Sequence, residues 1–444
     1  MKRLTFTFCL MMLSACGGGG AEEETADLPK TDTFPQFYGE VPQNLIVISI
    51  DTFRPDHMTH FGDTRGLTPL IDRLVTEGLI LNDHASCANW TYGGITCANT
   101  GNLAAEGMFM PKIGKSARRE MPDTPTLASS LRDAGYLTLL ETSNIWFSDE
   151  YNSDYGFTLS ERPGDRSATG IFNSAMELFS PSWESGEYQN FYIHMHVKEP
   201  HVSYTPPDKY LDGLDELDPI TWDLTISDEQ YELNGQWDEL PESERELILE
   251  HMRLRYAGEL MYLNDQLEDI FDDLDSRGLL ENTLVMLWSD HGEQFQEHDR
   301  QTHAYSLYSE ENDALAVLWS KNIVPTQWDG PTSHIDLAPT ILSVLGHDGA
   351  EGMGGIPVGL APDDRPIFAE ICARLGPVQS VTLEGMRMHY RWATGERELY
   401  NLIEDPGEQS NLIDTDTDTA ETLWDLLEPR IAMLEPLIPE HEPN

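Results

Sequence analysis

"NLIVISID", residues 44–51, is an apolar, largely β-branched run that stops at an aspartate. A run without polar alternation suits a strand covered on both faces, the situation of parallel sheets. The pattern returns in "NTLVMLWSD", residues 282–290, again ending on Asp. "YLTLLET" (136–142) and "NFYIHMH" (190–196) supply two more strands. Helices read between them. "DTPTLASSLRDAGY" (123–136) has Pro125 near its start and Gly135 just past its end. Residues 252–277 put Ala257, Leu260, Met261, Ile270, Phe271 and Leu274 on one face, with Gly278 as the stop. "HIDLAPTILSVLG" (334–346) reads as a short helix capped near Asp336 and closed at Gly346. This alternation predicts an α/β fold, a large mixed or parallel sheet sandwiched by helices. From residue 362 onward, the alternating "VQSVTLEGMRMHYRWA" (378–393) and a helix over 419–434 predict a smaller antiparallel sheet plus helix.

Two ends of the chain frame this body. Lys2 and Arg3 precede the apolar "LTFTFCLMML" (4–13), which is too short to span a bilayer and reads as a signal peptide over 1–15. "LSAC" ends at Cys16 in the manner of a bacterial lipoprotein cleavage box, so lipid on Cys16 is expected. "GGGG" and the polar run after it make 16–42 a flexible tether. The catalytic domain is expected over 43–361, with an acidic, Trp- and Asp-rich insertion at 208–250 that has the character of a lid, and a C-terminal subdomain over 362–444. A bacterial cell-envelope location follows, on the periplasmic side or at the outer membrane. Gly17 lacks the Asp linked to inner-membrane retention.

The net charge is −51, from 78 acidic and 27 basic residues. That field repels nucleic acid, so no nucleic-acid partner is expected. An anionic substrate would need a concentrated local positive charge, most simply a metal ion. Of five cysteines, Cys9 leaves with the signal and Cys16 takes lipid. Cys87, Cys97 and Cys372 remain. A Cys87–Cys97 disulfide and a pair of buried thiols both fit, and the thiols are preferred because free Cys is often buried. Oligomeric state is not legible.

Asp51 and Asp290 each end a buried strand, the edge at which open α/β sheets bind ligands. His291 follows Asp290 in "SDHGE". Two carboxylates and an imidazole there suit one divalent cation. In "CANWTYGGITCANTG" (87–101), Thr91 precedes two glycines and a helix start. A hydroxyl on a dication is acidified into a nucleophile; a plain helix cap is the alternative role for Thr91. "HVKEPH" (196–201) brings Lys198 and His201 to the same edge, for the ester oxygens or the leaving group. His303 is a further candidate, whereas His298 reads as a solvated loop residue.

These stretches resemble the sulfatase family of the alkaline phosphatase superfamily over about residues 43–413. "NLIVISIDTFRPDHMTHFG" matches the family's opening strand and Asp loop. "TPLIDRLVTEGLILNDHAS" matches the helix and strand before the nucleophile. "YAGELMYLNDQLEDIFDDLDSRGLLENTLVMLWSDHGE" matches the long helix and second metal strand. "HIDLAPTILSVLG" and "ELYNLIEDPGEQSNL" match two C-terminal signatures. The resemblance implies an alkaline-phosphatase-like fold and an ester hydrolase. It also exposes a departure. Sulfatases mature a Cys, sometimes Ser, in Cys-x-Pro-Ser-Arg to formylglycine. Aligned through the following Thr-Gly, this chain has Thr91 there, within "TYGGI", and Ile95 at the Arg position. Ser143 and Asn144 stand where the family has Lys and His, so Asn144 is a candidate ester contact. A formylglycine hydrate expels sulfate by elimination; a Thr ester does not. A Thr nucleophile resembles instead the superfamily's phosphodiesterases and phosphoglycerol or phosphoethanolamine transferases. The transferases carry transmembrane helices and no second apolar span is found here, so hydrolysis of phosphate mono- or diesters is expected.

The resulting expectation is a metal site of Asp51, Thr91, Asp290 and His291, with Thr91, His201, Lys198 and His303 catalytic. His291 favours Zn or Mn, with Ca an alternative. The substrate would be a small-molecule, glycan or lipid ester. A sulfuric ester hydrolase without formylglycine is the rival enzyme, and a catalytically dead binding lipoprotein is the rival outside enzymology.

Overall fold

The computed structural model describes residues 34–103, 124–162, 164, 166–347, 351–374 and 376–435. The expected signal peptide, Cys16 and most of the tether lie outside the described residues.

In chain order the elements are β1 (Asn44–Ile50), α1 (Pro69–Glu77), β2 (Leu79–Leu81), β3 (His84–Ala85) and α2 (Thr91–Thr100). Then come α3 (Leu127–Asp133), β4 (Leu137–Thr142), β5 (Leu159–Glu161), α4 (Ala168–Glu184) and β6 (Phe191–Val197). After α5 (Ser227–Gln236), α6 (Glu242–Ser276) and β7 (Thr283–Ser289) follow β8 (Gln294–Phe295), β9 (Gln301–Thr302) and α7 (Ser309–Asn312). The rest are β10 (Ala316–Trp319), β11 (Thr326–Trp328), β12 (Thr332–Ser333), α8 (Leu337–Val344), β13 (Ile367–Ala373), β14 (Gly376–Leu383), β15 (Met386–Arg391), β16 (Glu396–Asn401) and α9 (Thr417–Leu434).

The main sheet has eight strands in the order β11-β2-β10-β7-β1-β6-β4-β5. β1 lies between β6 and β7, parallel to both. β10 runs antiparallel to β7 and β2, so the sheet is mixed. The unbroken apolar run of β1 has its physical cause here. Ile46, Ile48 and Ile50 pack with α1, α4 and α6 on one face. Leu45 and Val47 pack with α2, α3 and α8 on the other. Burying each such side chain contributes roughly 1.5–3 kcal/mol. The expected large sheet between helices is what the structure contains. β13 to β16 form the separate antiparallel sheet, with α9 packed on it through Leu423 and Leu427.

Several local expectations are corrected. The long helix begins at Glu242, ten residues before the expected start at 252; its first turn is acidic and largely exposed, and its buried apolar face begins at Ile248. The 208–250 segment is anchored: Leu233 and Trp237 are buried in the main core, and α5 bonds to the loop before His303 through Asn234 Nδ2 to Gln301 O, at 3.0 Å. The tether ends before residue 42, since Phe37 is fully buried and bridges Ile323. The turn before α8 is capped by Ser333, with Asp336 reaching back to its N–H at 2.8 Å. Cys87 and Cys97 are joined as a disulfide, not held as thiols. Among the described residues, no helix is long and apolar enough to cross a membrane.

Candidate active site

β1, β6 and β7 end side by side, and each delivers a site residue at or just past its C-terminal end. Asp51 follows β1, His196 is on β6, and Asp290 and His291 follow β7. All four are buried. Thr52, just after Asp51, takes φ +57°, an uncommon left-handed backbone for a β-branched residue.

Hydrogen bonds fix one oxygen of each carboxylate and leave the other. Asp51 Oδ2 accepts from Asn144 Nδ2 at 3.0 Å and faces His196 Nε2 at 3.4 Å. Asp290 Oδ1 accepts from the N–H groups of Thr52 (3.1 Å) and His291 (2.8 Å). Asp51 Oδ1, Asp290 Oδ2 and His291 Nε2 have no hydrogen-bond partner. These three atoms converge: His291 Nε2 is 3.7 Å from Asp51 Oδ1 and 3.6 Å from Asp290 Oδ2. His291 Nδ1 donates to Gly292 O at 2.9 Å, which leaves a lone pair on Nε2. Three buried polar atoms left unsatisfied at one point are costly unless something binds them. A divalent cation fits.

His196 is the residue the sequence reading missed. One ligand atom each from Asp51, His196 and Asp290 lies within 4.8 Å of the others, so this buried group also could hold a metal. The bonding separates the two imidazoles. His196 is committed on both sides, with Nδ1 2.9 Å from Ser49 Oγ and Nε2 against Asp51. It orients Asp51, and His291 keeps the free lone pair. The available signal was the pairing of "HMH" on β6 with the strand that ends at Asp51; Ser49 is the register partner of His196. Asn144, expected at the ester, donates to Asp51 instead.

The electrostatics favour a cation at this point. Burial opposes ionisation of Asp51, but the charges of His201, His196 and His291 and the His196 hydrogen bond outweigh it and hold its carboxyl well below the usual range. Burial, then the charge of Asp51, pushes Asp290 well up. Two buried acids this close do not both ionise without a cation.

Thr91 is the first residue of α2, and it is buried. The N-cap is Trp90, with no side-chain cap bond, so Thr91 is not a plain cap. Gly94 brings this helix onto the metal strand: a β-carbon at Gly94 would lie 2.5 Å from Asp290 O. Gly93 packs as closely, with its hypothetical β-carbon 2.5 Å from Ala88 Cβ. Ser86 Oγ donates to the same Asp290 carbonyl at 2.6 Å. Ile95 is buried in the core and contributes nothing polar to the site.

His303 joins from the loop after β9. Its ring centroid is 4.6 Å from His291 and 5.0 Å from His201. Its Nδ1 donates to Glu293 at 2.9 Å. Burial, with the neighbouring charges of His291 and His201, holds it well below the usual histidine range. Thr302 and Ala304, on either side, both have φ +70°. Lys198 and His201 line a neighbouring cavity of ≈ 170 Å³ with Arg166, Glu199 and Glu259. His298 is not solvated: its Nδ1 pairs with Glu310 at 2.5 Å and its Nε2 donates to Glu408 O at 3.1 Å.

The sulfatase family model matches residues 43–347. The chain belongs to the sulfatase family. It is therefore a sulfatase-family ester hydrolase. It is 26% identical over 427 residues to an uncharacterized sulfatase of Escherichia coli (strain K12), covering 84% of this chain and 83% of that one. Among solved structures it is similar to a protein in complex with its substrate D-glucosamine-2-N,6-O-disulfate, with TM-score 0.72, 15% identity, and 91% and 100% of the two chains covered. The phosphonate monoester hydrolase from Silicibacter pomeroyi superposes with TM-score 0.68 at 17% identity, over 90% of this chain and 96% of that one.

Proposed function

We propose that this sulfatase-family enzyme hydrolyses phosphate mono- or diesters, with Thr91 as nucleophile. The carrying observation is that α2, which begins at Thr91, is seated through Gly94 on the carbonyl of Asp290, the residue whose Oδ2 is one of the three unsatisfied atoms. A divalent cation held by those three residues would supply charge neutralisation and acidify the Thr91 hydroxyl. Zn or Mn suits the imidazole ligand.

Thr91 Oγ attacks phosphorus, its proton passing to the lone pair of neutral His303, and the bond to the leaving alkoxide breaks. In this reading the alkoxide takes up that proton from His303, with the ring of His201 beside it at 5.0 Å. Burial and neighbouring charge keep His303 neutral as its resting form, so it then accepts the proton of the water that attacks the phosphothreonine and returns it to Thr91 Oγ as the P–Oγ bond breaks. The N-terminus of α2 has no side-chain cap, and its unpaired N–H groups would favour an anion there. In this reading Lys198, which lines the neighbouring cavity, serves the outer oxygens. The similarity to a phosphonate monoester hydrolase supports an ester of phosphorus as substrate.

Thr91→Ala is the test. Turnover of a 4-nitrophenyl phosphodiester should vanish while the metal stays bound; full activity in the variant ends the proposal. The similarity to a disulfate-binding protein favours a second reading, sulfate ester hydrolysis. Parallel assays with 4-nitrophenyl sulfate decide between them. A dead binding protein is disfavoured by the intact convergence of metal-binding atoms, and metal analysis with activity measurements checks it.

Lipid on Cys16, and with it attachment to an envelope membrane, is part of the proposal. Incorporation of labelled palmitate, lost in Cys16→Ser, is the expected result.

A further inference from the structure

Arg374 stands in the turn between β13 and β14, where the C-terminal subdomain meets the active-site loops. Its N–H donates to Ala304 O at 2.8 Å, one residue past His303. Its guanidinium carbon lies 4.2 Å from the ring centroid of Tyr231 and 5.8 Å from that of Tyr305. Tyr231 comes from α5, within the 208–250 segment, and Tyr305 from the His303 loop. Three separate parts of the chain thus build one position. Ala304, whose carbonyl Arg374 bonds, follows His303, and the His303 ring lies 4.6 Å from that of His291.

What stands out is the lack of an acid. The chain carries 78 acidic residues against 27 basic ones, and Arg374 is exposed, yet no described carboxylate forms an ion pair with it. The buried arginines Arg54 and Arg387 are paired, the first with Asp56 and Glu297, the second with Asp313 and Glu408. A guanidinium held on aromatic faces keeps its N–H edge free, in the fork geometry that matches an oxyanion.

We propose that Arg374, seated on Tyr231 and Tyr305, is a subsite for a second oxyanion of the substrate, a carboxylate, sulfate or phosphate group near the ester that is cleaved. The preferred substrate is then an ester bearing two anionic groups, only one of which reacts. This rests on the metal-site reading of Asp51, Asp290 and His291 as the reaction centre.

The test compares 4-nitrophenyl phenylphosphonate with its analogues carrying a carboxylate on the meta or para position of the phenyl ring. The wild-type protein should prefer a carboxylated probe in kcat/KM. In Arg374→Ala that preference ratio should fall by about ten- to a hundredfold, mainly through KM, the loss of one charge-assisted contact. Arg374→Lys should keep part of it. An unchanged ratio in Arg374→Ala, or no preference in the wild type, overturns the proposal. A merely structural stacking role would lower Tm and leave the ratio alone. Calorimetry in the Thr91→Ala background reads the same ratio as affinities without turnover. It judges Arg374 even where the nucleophile assignment fails, and residual activity of Thr91→Ala judges that assignment separately.

Discussion

The α-carbon of Gly94 lies so close to Asp290 that a β-carbon there would sit 2.5 Å from the Asp290 carbonyl oxygen. α2 and the residue that follows β7 therefore approach through backbone. Gly94→Ala should push α2 away, costing about 1–3 kcal/mol of stability and lowering kcat by about a hundredfold through displacement of Thr91. Kinetics and urea denaturation read the two effects, and an unaffected kcat contradicts the packing argument.

Asn144 and His196 both contact Asp51 Oδ2. Asn144→Leu should weaken metal affinity by about 10–100-fold, the usual scale for losing a residue that orients a ligand. Metal titration of the stripped protein measures it. A variant with normal metal affinity but a raised KM would return Asn144 to the ester.

Metal removal should destabilise the fold, because the converging atoms of Asp51, Asp290 and His291 then lie buried without a partner. Readdition of Zn or Mn at about 100 times Kd should restore about 2.7 kcal/mol. Thermal melts before and after chelation show it. Affinity should also rise with pH, since burial and the Asp51 charge keep Asp290 protonated in the metal-free protein and the cation must displace that proton.

Glu408 links the C-terminal sheet to the catalytic domain. It accepts from His389 Nε2 at 2.7 Å and from Ser309 N at 2.7 Å, and pairs with Arg387 at 3.3 Å. Burial alone would raise its carboxyl, but Arg387 and His389 bring it from 4.5 down to about 2. A depressed acid contributes stability above its unfolded value, and that contribution is lost as pH falls from about 4.5 to about 2. Glu408→Gln should be less stable than wild type at pH 7, with the gap closing across that window. Denaturation midpoints of both proteins against pH test this.

The Cys87–Cys97 disulfide encloses Thr91. Replacing both cysteines by Ser should cost about 2–4 kcal/mol and reduce kcat by loosening the turn that presents the hydroxyl. An unaltered melting temperature would show that packing alone holds the turn.

Legibility followed local signal. The apolar runs of β1 and β7 announced both the buried sheet and the two acids at its edge, because a strand covered on both faces writes its burial into consecutive residues. His196 was hidden because its meaning lies in register with Ser49, a neighbour 147 residues away. The early turns of α6 were hidden because an exposed acidic helix has no apolar stripe to read. The disulfide was undecidable from cysteine identity alone, since both buried thiols and a bridge satisfy the same composition. The role of Arg374 was unreadable for a similar reason: its aromatic neighbours come from a segment with no periodic pattern.

β1 is flanked by β6 and β7, so the atoms that converge on the cation arrive from positions separated by up to 240 residues of chain. No partial chain ending before His291 can assemble them. Capture of the ion is thus a late event in the life of each molecule, and a labelled metal would report how many molecules in a preparation have finished folding.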